Sequence, residues 1–118
     1  GVITVAAAIN WEGKLMAQPE IHLRGVVTTV ERSLLHQLMI RAIEKMLSDR
    51  WSEFTQTANG EIEVDWELLR EAIESNLKRL MRRELQSQPL VVFLLQMPEE
   101  PSPTKSYRRR RSTAEIRV

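Results

Sequence analysis

The chain has 118 residues, 42% of them hydrophobic, the size and apolar content of one domain with its own core. Its 17 Lys and Arg oppose 16 Asp and Glu for a net charge of +1, which excludes a generally basic nucleic-acid binder and an acidic protein as descriptions of the whole. With no cysteine there is no disulfide, thiolate metal site or cysteine nucleophile, and the composition suits a reducing cytoplasm. The balanced sum hides an asymmetry. Residues 98–118 hold six cations (Lys105, Arg108, Arg109, Arg110, Arg111, Arg117) against three acids (Glu99, Glu100, Glu115), so this tail is +3 and residues 1–97 are −2. The longest apolar runs, 5–9 and 90–95, fall far short of the roughly 20 residues of a membrane helix. Gly1 enters a strand pattern with no basic lead-in, which predicts neither a signal peptide nor a natural start, but a fragment of something longer.

Residues 2–10 are β-branched and small apolar, and stop at Trp11-Glu12-Gly13-Lys14, where Gly13 suits a tight turn. A second strand is expected from 14–17, interrupted at Pro19 and resuming over 21–27, antiparallel to the first. Gly25 within it marks a bulge or a close backbone contact. From Glu31 the period becomes helical: Leu35, Leu38, Met39, Ala42, Ile43, Met46 and Leu47 form one stripe of a helix about 20 residues long. Residues 55–60 read as a polar connection with a turn at Asn59-Gly60. Asp65 is an N-cap for a second helix striped by Trp66, Leu69, Ile73, Leu77 and Leu80. After Pro89 comes the continuous apolar run 90–95, expected as a strand buried on both faces in the middle of a sheet.

The order is β-β-α-α-β, an α+β fold in which two helices cover one face of a small three-stranded sheet. Residues 1–97 form the domain. Residues 98–118, with Pro98, Pro101, Pro103 and the arginine run, are expected to be a disordered basic tail.

Chemistry is poorly supplied. The two imidazoles, His22 and His36, show no metal-ligand spacing and read as surface or packing residues. There is no Gly-x-Ser-x-Gly and no phosphate-binding glycine loop. Glu67, Glu71 and Glu74 read as a solvated helix face. Trp11, Trp51 and Trp66 are core residues by default and interface anchors otherwise. Lys78, Arg79, Arg82 and Arg83 complement the helix dipole, or else form a phosphate-binding strip. The run Arg108, Arg109, Arg110, Arg111 is a solubilising tail or a docking element for phosphates or carboxylates, with Tyr107 placed to stack on a base.

Three stretches carry a family resemblance: Gly1-Val2-Ile3-Thr4-Val5, Glu12-Gly13-Lys14-Leu15, and Pro19-Glu20-Ile21-His22-Leu23-Arg24-Gly25-Val26-Val27. With Asp65-Trp66 and the apolar strand after Pro89, they run collinear over about residues 1–97, and this part of the chain resembles the C-terminal domain of bacterial ribonuclease J. That family has a metallo-β-lactamase fold with a β-CASP insertion, and cleaves RNA by 5′-to-3′ exonucleolytic and endonucleolytic routes. Its His-x-His-x-Asp-His motif has no match here, so the resemblance carries over no catalytic or metal residue. It implies that this segment holds no cofactor and that two metal ions, zinc, bind elsewhere in the parent enzyme. It also implies a non-catalytic accessory domain of three strands and two helices that assembles dimers or tetramers in the cytoplasm, its contact with RNA made through the parent enzyme. Leu23 stands where the family commonly has Ser, and residues 98–118 extend past the domain. Arg108 to Arg111 followed by Ser112-Thr113-Ala114 looks like the arginine-rich tail peptide by which some bacterial ribonuclease E proteins hold polynucleotide phosphorylase. The partners expected are therefore a second copy of the chain, RNA, and polynucleotide phosphorylase through the tail, with no membrane.

Overall fold

A computed structural model describes residues 1–26, 30–85 and 88–99, together with the backbone of a strand at 107–109. The elements are β1 (Val2–Ala8), β2 (Glu20–Arg24), α1 (Arg32–Arg50), a 3₁₀ turn (Trp51–Phe54), β3 (Thr55–Ala58), β4 (Glu61–Val64), α2 (Trp66–Glu84), β5 (Leu90–Gln96) and β6 (Tyr107–Arg109). The fold is α+β. The main sheet has the order β2-β1-β5, with β1 antiparallel to β2 and parallel to β5.

The β1–β2 connection follows from its side chains. Asn10 Oδ1 accepts from the amides of Glu12 and Lys14 at 3.0 and 2.9 Å, fixing the turn locally. Gly13 completes it at φ +77°, and a Cβ there would lie 2.5 Å from the Trp51 ring. Only glycine meets both conditions. The ladder continues through an Ile9–Leu15 bridge and lapses before Pro19, as expected of a residue with no N–H. The close contact expected at Gly25 is with the chain start: a Cβ on Gly1 would run into the Gly25 carbonyl.

Both helices bury the stripes that their period predicts. α1 presents Leu35, Met39, Ile43, Met46 and Leu47 to the core, and α2 presents Trp66, Leu69, Ile73, Leu77, Leu80 and Met81. These meet Ile3, Val5 and Ala7 of β1 and Val91 and Phe93 of β5 in one cluster. Asp65 caps α2 by accepting from the Leu68 amide at 3.1 Å. Trp66 lies between two other indoles, 5.7 Å from Trp11 at 69° and 5.9 Å from Trp51. Trp11 and Trp66 are buried, so of the three tryptophans only half-buried Trp51 reaches the surface.

Two expectations are corrected. First, the polar connection at 55–60 is half of a hairpin: β3 pairs antiparallel with β4, Thr55 opposite Val64 and Ala58 opposite Glu61. Asn59 and Gly60 both have positive φ, 53° and 78°, the requirement of the tight turn that matches strand twist. The strands Thr55–Ala58 and Glu61–Val64 escape a hydrophobic-pattern reading because Val64 is their one fully buried apolar side chain. Second, β5 lies at an edge of the main sheet and not at its centre. Its apolar run has one face in the core, while Leu90 and Leu94 on the other are exposed. Within the segment 98–118, residues 107–109 pair in parallel with β4 as β6. The expectation of a disordered tail falls mostly on residues 100–106 and 110–118, which lie outside the described residues.

Candidate assembly surface

Strand alternation divides the main sheet into two faces. One carries the buried Ile3, Val5, Ala7, Val91 and Phe93. Pairing register arranges the other in rows across the strands: Arg24–Val2–Leu90, His22–Thr4–Val92 and Glu20–Ala6–Leu94. Both helices lie on the core side, since all their buried residues join the single core cluster with the inward face. The open face is apolar where β1 and β5 form it, with Val2, Leu90 and Leu94 37%, 59% and 53% exposed. It is polar along β2, where Glu20, His22 and Arg24 are exposed. Near its far end a groove of about 390 Å³ runs past Ala6, Ala8, Gln18, Glu20, Leu94 and Gln96.

The outer edge of β5 is built differently. The Leu90 amide donates to the Gly1 carbonyl at 2.9 Å, and the Gln96 carbonyl accepts from the Ile9 amide at 3.3 Å. In a parallel ladder these bonds turn the even-numbered residues of β5 toward β1, leaving the amides and carbonyls of Val91, Phe93 and Leu95 directed outward. The central one is occupied. The Phe93 amide donates to Glu74 Oε2 of α2 at 3.0 Å. Arg70 and Lys78 flank the same carboxylate at 3.3 and 3.5 Å, and Arg70 also pairs with Glu67 at 2.9 Å. The hydrogen bond from Phe93, helped by the charges of Lys78 and Arg70, holds the Glu74 carboxyl below its ordinary pKa against the opposing effect of partial burial. α2 thus stops the middle of β5 from receiving another strand, which is how an apolar edge is kept from indiscriminate pairing.

Glu74 was expected on a solvated helix face and is instead a tertiary contact. Nothing local announces this, because its partner is 19 residues away. The other candidate residues fall as follows. His22 is exposed on the open face and His36 is half-buried on α1. No three His, Asp or Glu side chains converge to hold a metal among the described residues. The basic strip does lie at the C-terminal end of α2. Its Lys78 is tied to Glu74, while Arg79, Arg82 and Arg83 are exposed. Lys78 and Arg82 border a second groove with Gln88, Pro89, Leu90 and Val91. Tyr107, Arg108 and Arg109 enter β6, and Arg110 and Arg111 lie outside the described residues. Among the described residues no helix is long and apolar enough to cross a membrane.

Comparison with known proteins gives the family of this part of the chain. Residues 1–96 match the family model described as ribonuclease J C-terminal domain. Over 96 residues the chain is 52% identical to a protein named Ribonuclease J from Synechocystis sp. strain PCC 6803, a match covering 81% of this chain and 15% of that protein. The chain therefore spans about a seventh of the length of that relative, and the matched part is the same three-stranded sheet, hairpin and helix pair whose open face is described above. The chain belongs to the ribonuclease J family, as its C-terminal domain.

Proposed function

We propose that this domain is the non-catalytic accessory and oligomerisation module of a ribonuclease J, and that the open face of the main sheet is the surface on which two copies meet. The observation that carries this reading is the pairing of an exposed apolar half, Val2, Leu90 and Leu94, with a charged border of opposite ends, Glu20 and Arg24. A face of this kind on a small domain marks an association site. Its charge pattern is self-complementary. A two-fold axis between two such faces, crossing the strands at the Thr4–Val92 row, sets Glu20 of one copy opposite the partner's Arg24. The same axis sets Leu90 opposite the partner's Leu94, an isologous contact. The blocked edge of β5 directs assembly to the face instead of to a continuous sheet. Light scattering coupled to size exclusion tests this. The chain is expected to self-associate at micromolar concentration, and Leu90→Glu with Leu94→Glu to weaken association on the order of 100-fold by burying charge. A strict monomer at high micromolar concentration would sink the reading.

A second reading has one observation in its favour. Arg79, Arg82 and Arg83 stand exposed near the end of α2, and no ion pair involves them among the described residues. Together with the arginine tail they suit the phosphates of an RNA substrate held by the parent enzyme. Binding of this kind weakens steeply with salt through counterion release. Deleting residues 104–118 is expected to reduce that salt slope, and an unchanged slope removes the tail from the RNA contact.

A further inference from the structure

The β3–β4 hairpin has an edge that accepts a strand. One side of β4 pairs with β3, and the other pairs in parallel with β6, in the register Ile62–Tyr107, Glu63–Arg108 and Val64–Arg109. The charges of the two strands are opposite: β4 carries Glu61 and Glu63 with no cation, and β6 carries two arginines with no acid. Alternation places Glu61 and Glu63 on the face of β4 away from Val64, which is fully buried in the core. Glu63 is nevertheless only 8% exposed, and Gln56 of β3 donates to its Oε2 at 3.3 Å. A carboxylate withdrawn from water in this way is costly unless hydrogen bonds and an opposite charge answer it. The residue opposite Glu63 in the register is Arg108.

We propose that the acid-bearing edge of β4 is a strand-addition site for an arginine-bearing extended segment, and that the chain's own residues 107–109 are its resident occupant, docked in cis. Main-chain pairing supplies affinity and the glutamates supply selectivity, the division of labour found wherever a peptide adds to a sheet edge. The connection from Met97 to Tyr107 is short, about 35 Å at full extension, so the tail is held near the site at an effective concentration on the order of millimolar. The arginine run is therefore tethered at its first residues, and any partner that draws on Arg108 or Arg109 competes with β4 for them.

The test is amide hydrogen exchange, read by NMR on the full chain, in the unaltered protein and in Glu63→Lys, Arg108→Glu and the double exchange Glu63→Lys with Arg108→Glu. The Asp65 amide donates to the Phe54 carbonyl, so the main-chain groups of Ile62 and Val64 face β6 and the register turns the Arg108 amide toward β4. In the unaltered chain that amide is expected to exchange about tenfold or more slowly than free peptide, at every protein concentration. Each single reversal is expected to abolish that protection, and the double exchange to restore it. Arg108→Glu alters only the tail, so its result stands even where Glu63→Lys disturbs the hairpin, which the amides of the β3–β4 pairing report separately. Free-peptide exchange at the Arg108 amide in the unaltered chain would overturn the proposal, as would failure of the double exchange to rescue. Protection that fades on dilution would also overturn it, by placing the strand on a second copy.

Discussion

The outer edges of β5 and β4 pose one problem and meet it in opposite ways. β5 is seven residues long and apolar, so an open edge there invites uncontrolled pairing. Glu74 takes its central outward amide at 3.0 Å. β4 is four residues long, carries two glutamates, and takes a third strand in parallel. A carboxylate therefore closes one edge by accepting a backbone bond, while two carboxylates select what binds at the other. This domain controls its strand edges with side-chain charge, and leaves the apolar face of its sheet exposed at Val2, Leu90 and Leu94.

The largest expected effect comes from the core side of β5. Phe93→Ala removes a fully buried ring and is expected to cost about 3–5 kcal/mol, read by denaturant unfolding. Such a loss tests whether the inward face of β5 anchors the strand. Glu74→Ala acts on the edge itself. Losing the acceptor of the Phe93 amide is expected to cost about 1–3 kcal/mol, with faster exchange of that amide as the specific sign. An unchanged Phe93 amide would mean that the edge is not closed by Glu74.

The pH dependence sharpens the same point. The folded protein holds the Glu74 pKa below its unfolded value, about 4.3 for a glutamate, so the folded state binds its proton more weakly than the unfolded state. The stabilisation is complete above about pH 4.3 and is lost as the pH falls through the lowered folded pKa. The stability difference between the unaltered chain and Glu74→Gln is therefore expected at pH 7 and reduced at pH 3. A gap of equal size at both values would assign the effect to packing. The smallest effect belongs to the β4 side: Asp65→Ala removes the cap that accepts from Leu68, at a cost of about 1 kcal/mol, and is expected to leave the Phe93 amide untouched.

Much of this fold is legible in the sequence because its signals are local. The helical stripes of α1 and α2, the cap at Asp65, the turn at Gly13 and the break at Pro19 each follow from a residue's own backbone preference or from a short period. The β3–β4 hairpin is announced only by Asn59-Gly60, since the flanking strands Thr55–Ala58 and Glu61–Val64 are mostly polar and lack a clear two-residue apolar alternation. β5 misleads for a related reason. A continuous apolar run predicts burial on both faces, and here no element covers the second face among the described residues, so Leu90 and Leu94 are exposed. The candidate surface itself is a product of register: Val2 and Leu90 become neighbours only through the β1–β5 ladder, and Glu74 meets Phe93 only once α2 lies along β5. The arginine run is visible in the sequence, but the strand that pairs with its first residues is not, because neither Thr55–Ala58 nor Glu61–Val64 looks like a strand before the hairpin closes.

The most direct measurement of the central claim is an NMR dilution series on the full chain, following the side-chain methyls of Val2, Leu90, Val92 and Leu94 together with the amides of Val91 and Leu95. Assembly through the open face predicts methyl shifts that move with concentration while those two outward amides exchange freely throughout. Amides of Val91 and Leu95 that become protected as concentration rises, with the methyls unmoved, would place the contact on the edge of β5 and contradict the account.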